Sequence, residues 1–156
     1  MLDAGAEVDS RLNRDGAKLD APLLRSLQRH ELFSAFRRRG YTPLHVAAFN
    51  DARDAAAVLI SRGAALDAAD NGGKTPLHAA AYANGKKAAA LLIDSGARIN
   101  SPDLNGATPL HDAASTAALP TAATLISHGA DVHAANNSGR TPLHWAARQN
   151  ALEMVA

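Results

Sequence analysis

Thr42-Pro43-Leu44-His45 returns as Thr75-Pro76-Leu77-His78, as Thr108-Pro109-Leu110-His111 and as Thr141-Pro142-Leu143-His144, each copy 33 residues after the last. A fixed period of that length describes a chain that stacks one small unit on its neighbours, not a globule closed around a single core. A stack offers a long surface and no enclosed pocket by default. The first functional expectation is therefore binding to another macromolecule.

The repeat extends beyond its tetrapeptide. One variable residue and then Ala-Ala follow each histidine: Val46-Ala47-Ala48, Ala79-Ala80-Ala81, Asp112-Ala113-Ala114 and Trp145-Ala146-Ala147. An aliphatic run ending in Gly-Ala comes next, with Val58-Leu59-Ile60 before Gly63, Leu91-Leu92-Ile93 before Gly96, and Leu125-Ile126 before Gly129. Asp70, Asp103 and Asn136 then each stand three residues before a glycine, Gly73, Gly106 and Gly139.

Elementary physics turns this pattern into a shape. Threonine caps a helix through its hydroxyl, and proline fits the first helical position because its missing N–H loses nothing there. Leucine and the alanine pair then share one face of a short helix, where small side chains let neighbouring helices approach closely. Asp51, Asn84 and Asn150 stand where that helix must turn, and these residue types tolerate the left-handed conformation. The aliphatic run is the buried stripe of a second helix, which Pro120 can open in its repeat and which Gly63, Gly96 and Gly129 end. The polar turn-rich residues that follow form a projecting hairpin-like finger.

A dozen positions agreeing in phase make this pattern resemble the ankyrin repeat, over roughly residues 42–156. The resemblance implies an all-α solenoid of stacked helix-turn-helix units with β-turn finger loops. On the period, residues 42–74, 75–107 and 108–140 are full repeats, 141–156 is a partial one, and 1–41 is a degenerate or partial helical repeat region. Leu23, Leu24, Leu27, Leu32, Phe33 and Phe36 have helical spacing within it. No finger is visible between Arg39 and Thr42. Residues 2–8 look like the end of a repeat and 151–156 like the start of a second helix, so the chain reads as a segment of a longer array.

Composition agrees. The chain of 156 residues is 47% apolar but 4% aromatic, too few bulky side chains for a single core of that size and enough for helices meeting at alanine faces. A formal net charge of +1 argues against nucleic acid or an anionic membrane as partner. No apolar run is long enough to span a bilayer. The absence of cysteine excludes disulfides and thiolate zinc sites and fits a cytoplasmic location, with secretion into a host or periplasm the other reading. The alanine bias suits a GC-rich, bacterial source.

Candidate chemistry is weak throughout. His45, His78, His111 and His144 cannot share a metal. Stacked helices lie about 8–10 Å apart, whereas two ligands of one zinc must be within about 4 Å of each other. Each histidine instead sits one turn from its threonine, positioned to bond the hydroxyl and backbone. His128 and His133 lack a third ligand and read as solvated. Gly72-Gly73-Lys74-Thr75 superficially resembles a phosphate loop, but its first glycine is missing and the same positions recur as turns. Arg37-Arg38-Arg39 reads as cations at a helix C-terminus. No nucleophile has a recurring base partner. The chain is expected not to be an enzyme and to need no cofactor, metal or small-molecule substrate.

What remains is the variable surface. The residue after histidine is Val46, Ala79, Asp112 or Trp145, and three residues later stand Phe49, Tyr82, Ser115 and Arg148. Both positions are expected to lie off the Leu and Ala-Ala face. Aromatics and arginine are common interface anchors, although Phe49, Tyr82 and Trp145 could equally fill gaps that alanines leave between repeats. Ankyrin proteins bind through the concave helix face and the finger tips. By that resemblance the candidate partner-binding residues are Phe49, Tyr82, Asp112, Ser115, Trp145 and Arg148 on the helices, with Asn71, Lys74, Leu104, Asn105, Asn137 and Arg140 on the fingers. The expected partner is another protein. Family members include toxin-neutralising proteins, proteins acting on host targets, and regulatory or targeting modules of larger enzymes. Direct binding of a small ligand or nucleic acid is the remaining class.

Overall fold

The computed structural model describes residues 39–149. The helical spacing at 23–36, the turn at Asn150 and the helix start at 151–156 lie outside the described residues. Within them seven helices follow one another: α1 (Pro43–Phe49), α2 (Arg53–Ser61), α3 (Pro76–Tyr82), α4 (Lys86–Asp94), α5 (Pro109–Ser115), α6 (Leu119–Ser127) and α7 (Pro142–Arg148). There is no strand among the described residues.

The first helix of each pair begins on threonine. Thr42, Thr75, Thr108 and Thr141 are N-caps in extended backbone, with proline at the first helical position. The third helical residue is histidine, and it completes a reciprocal cap in the place where glutamate or glutamine usually stands. The second helices end as the glycines foretell. The Gly63 N–H donates to the Ile60 carbonyl and the Ala64 N–H to that of Leu59, a Schellman closure that recurs at Gly96-Ala97 and Gly129-Ala130.

Helices stack in two parallel rows, α1 on α3 on α5 on α7 and α2 on α4 on α6, with each first helix also packed against its own second helix. Leu44, Leu77 and Leu110, the alanines Ala47, Ala48, Ala80, Ala81 and Ala113, and Leu59, Leu92 and Leu125 form one continuous buried layer along the stack. Each element touches only its neighbours, as the period requires.

Between first and second helices the backbone turns through the left-handed region at Asp51 (φ 52°), Asn84 (φ 59°) and Ala117 (φ 54°). The first two match expectation. Ala117 was not foreseen, because alanine has no side chain that favours this conformation.

Two sequence expectations are corrected. Val46, Ala79 and Asp112 do not lie off the packing face; all three are buried. Tyr41 and Phe49 pack against Val46, and the Lys74 side chain lies on Asp112. The stretch before Thr42 also keeps more of the finger than its sequence suggests. The Asn71 N–H donates to the Arg39 carbonyl at 2.8 Å, as the Leu104 N–H does to Gly72 at 2.9 Å and the Asn137 N–H to Asn105 at 2.9 Å. Gly40 holds φ 76°, close to the 78° of Gly73 and the 74° of Gly106. Arg39 and Gly40 therefore keep the backbone contact and the positive φ of a finger turn.

Candidate functional site

The fingers are built by Asx chemistry. Asp70 Oδ1 accepts the N–H groups of Gly72 and Lys74, each at 2.8 Å, and Asp103 and Asn136 repeat this arrangement. One side-chain oxygen thus closes the turn and leaves the tip projecting. Successive fingers then approach closely: a Cβ at Gly106 would lie 2.5 Å from Asn137 Oδ1 and 2.9 Å from its backbone nitrogen, so this glycine is required sterically as well as by its positive φ.

The histidines tie finger to helix. His78 Nδ1 receives the Thr75 N–H at 3.0 Å, and the Thr75 hydroxyl lies 3.0 Å from the same nitrogen. His78 Nε2 reaches the carbonyl oxygen of Ala107 at 3.0 Å. A backbone N–H can only donate and a carbonyl can only accept, so the imidazole is neutral with its proton on Nε2. His45 makes the same bonds to Thr42 and the Lys74 carbonyl, and His111 to Thr108 and the Arg140 carbonyl. Burial holds the His78 pKa below the ordinary histidine value, although the Ala107 carbonyl and the Asp112 charge oppose the shift. Among the described residues no group of three His, Asp or Glu side chains could hold a metal.

Further bonds cross between units. Asp51 Oδ1 accepts the N–H of Ala88 at 2.8 Å, supplying α4 with the cap that its own N-terminus lacks. The Thr121 hydroxyl donates to Asn84 Oδ1 at 3.0 Å. Lys74 Nζ lies 2.6 and 2.7 Å from the two carboxylate oxygens of Asp112 and 3.8 Å from Asp103. Burial pushes the Asp112 carboxyl pKa up, and Lys74 pulls against that shift.

The candidate binding residues divide by exposure. Tyr82 is 50% and Leu104 71% exposed. Asn71, Asn105, Asn137, Arg140 and Arg148 are also exposed. Phe49 is half-buried and packs against Tyr41 and Val46, so it fills a gap in the stack. Ser115 is half-buried, its hydroxyl donating to the Asp112 carbonyl of its own helix at 2.8 Å. Asp112 is buried and Lys74 half-buried, and their charges answer each other. Trp145 is half-buried and lines a cleft of about 440 Å³ with Arg140, His144 and Arg148. Sequence reading missed the Lys74–Asp112 pair and the histidine-to-carbonyl bonds. The second had a signal: a histidine at every third helical position has a second ring nitrogen that needs an acceptor.

No helix among the described residues is long and apolar enough to cross a membrane. No curated protein matches the sequence. Residues 17–103 match a family model described as ankyrin repeats (3 copies), and residues 110–156 match one described as ankyrin repeats (many copies). The first match reaches upstream of Thr42, into residues whose period is degraded. Stacked helix pairs, finger turns closed by Asp or Asn, and both family models agree: the chain belongs to the ankyrin-repeat family.

Proposed function

We propose that this chain is a non-catalytic scaffold that binds a partner protein through the exposed side chains of its first helices and finger tips. Ankyrin repeats generally mediate protein–protein interaction, and the variable positions support that use here. The observation that carries the reading is the exposure of Tyr82 and Leu104. Ser115 and Arg148 stand at the position of Tyr82 in later repeats, and Asn71 and Asn137 at that of Leu104, so the repeat fold does not require an apolar side chain at either position. In a stack whose other first-helix apolar side chains are largely buried, an aromatic on α3 and a leucine on a finger are natural anchors. Asn71, Asn105 and Asn137 supply polar contacts beside them. The partner is a protein, not a nucleic acid or a small substrate, because the surface joins isolated apolar anchors with neutral amides.

Photocrosslinking tests this reading. A benzophenone side chain at position 104 should capture a discrete protein from an extract of the source cell. The same probe at Ile126, exposed on the second-helix row, should capture none. Equal capture at both positions would defeat the proposal.

A further inference from the structure

Exposed cations gather where the second helices begin. Arg53 is the first residue of α2 and Lys86 the first of α4, one period apart, and Lys87 follows. All three are exposed. α2 and α4 pack side by side, so their starts lie about 10 Å apart. Arg53 makes a loose contact of 3.9 Å with Asp54, itself fully exposed. Lys86 and Lys87 have no ion pair among the described residues. α4 is flanked on both sides by described helices, α2 and α6, and neither brings an acid to the two lysines.

The fold does not ask for these charges. A helix start carries partial positive charge, so cations in the first turn oppose the helix, and α4 has no acid there to offset them. Leu119 and Pro120 hold the two lysine positions in the next unit, and Asp54 matches Lys87 in the previous one. The nearby acids are committed elsewhere. Asp51 accepts the Ala88 N–H, Asp67 the Arg98 N–H, Asp70 and Asp103 close their fingers, and Asp112 answers Lys74. A formal net charge of +1 thus conceals a positive edge. That edge adjoins the surface proposed above: Tyr82, 50% exposed, ends α3 four residues before Lys86.

We infer that Arg53, Lys86 and Lys87 receive an acidic segment of the partner polypeptide, beside the apolar contact at Tyr82. This rests on the scaffold reading and adds the charge of the partner to it. Exposed charges at the border of an interface steer the encounter and select the partner of opposite sign. The edge is short: Leu119 and Pro120 end it in the third unit. Three cations next to an aromatic suit a brief run of Asp or Glu. A nucleic-acid backbone calls for a longer basic track.

The test is fluorescence anisotropy of dye-labelled hexaglutamate, hexaglutamine and hexathymidylate, each titrated with the whole protein at low ionic strength. Hexaglutamate should bind saturably and lose affinity with salt. Hexaglutamine should not bind, and hexathymidylate should bind at least about tenfold more weakly. The double variant Lys86→Gln, Lys87→Gln should weaken hexaglutamate by about tenfold. Its melting temperature should equal or exceed that of the parent, because opposing charges leave a helix start. Arg98→Gln removes the same charge at the other end of α4 and should leave binding unchanged. Tyr82→Ala should also leave it unchanged, since this probe reads the charged edge alone. Capture of a protein at position 104 without hexaglutamate binding would defeat this inference and spare the scaffold reading. Hexaglutamate binding with nothing captured at position 104 would do the reverse. Equal binding of hexaglutamine, tighter binding of hexathymidylate, an equal loss in Arg98→Gln, or full affinity in the double lysine variant would also overturn the inference.

Discussion

The Nε2 of His78 donates to the carbonyl oxygen of Ala107, 29 residues further on, at 3.0 Å. The same carbonyl accepts the Asp103 N–H at 2.8 Å, so one oxygen at the base of a finger uses both of its lone pairs. One ring nitrogen caps its own helix, and the other holds the base of the finger that closes the same repeat. The repeated histidine therefore ties each first helix to the finger that leads into the next unit, and its protonation state matters to the stack.

That coupling predicts a pH dependence. The His78 pKa is lowered by burial, so the unfolded chain takes up a proton first as pH falls. Stability is full above about pH 6.5, the unperturbed histidine value, and declines as pH falls through and below it. A single proton limits the slope to about 1.4 kcal/mol per pH unit. Asp112 acts in the opposite sense: its carboxyl is raised by burial, and its cost is relieved at more acid pH. Urea unfolding from pH 8 to 5 should show falling stability, and His78→Gln should flatten the fall. An unchanged slope in that variant would refute the assignment.

The Lys74–Asp112 pair spans two units, with the acid side chain 10% and the lysine 32% exposed. Removing one partner strands a buried charge, at a cost in the region of 3 kcal/mol. Lys74→Met should fall near or below that figure, because the lysine is partly hydrated. The double variant Lys74→Met, Asp112→Leu should recover most of the loss, since an apolar pair of similar volume suits the site. A double-mutant cycle by denaturant titration decides it; additive losses would contradict the account.

Ala117 sits at φ 54° where Asp51 and Asn84 occupy the equivalent turns. A left-handed alanine costs roughly 1–2 kcal/mol. Ala117→Gly should raise stability by about 1 kcal/mol, read as an upward shift in melting temperature. Destabilisation by this change would show that the turn is not under backbone strain.

Leu77 is fully buried, whereas Tyr82 on the same helix is 50% exposed. Leu77→Ala should therefore cost about 2–5 kcal/mol, and Tyr82→Ala less than about 0.5 kcal/mol. Similar losses for the two would place Tyr82 in the core.

The stack was legible because local chemistry and period coincide. Thr-Pro starts, the aliphatic stripe and the terminating glycines each name their own structure, and every one recurs in phase. The side of Val46, Ala79 and Asp112 was misread because helical spacing alone does not reveal what packs on the residue after histidine, such as Tyr41 on Val46 and Lys74 on Asp112. Lys74 and Asp112 stand 38 residues apart, and no local rule brings them together. Arg39-Gly40 lacks the Asp or Asn that marks a finger, yet keeps the backbone bond that a finger makes. Of the proposed anchors, Tyr82 and Leu104 read correctly as side chains the fold leaves in the open, while Phe49 belongs to the packing around Val46.

The central claim is that residues the repeat leaves free and exposed are the ones that hold a partner. Its most direct test is the double variant Tyr82→Ala, Leu104→Ser, assayed against the protein crosslinked through position 104. The account predicts at least about tenfold weaker binding with a melting temperature close to that of the parent chain. Undiminished affinity, or a loss of binding that only accompanies unfolding, would contradict it.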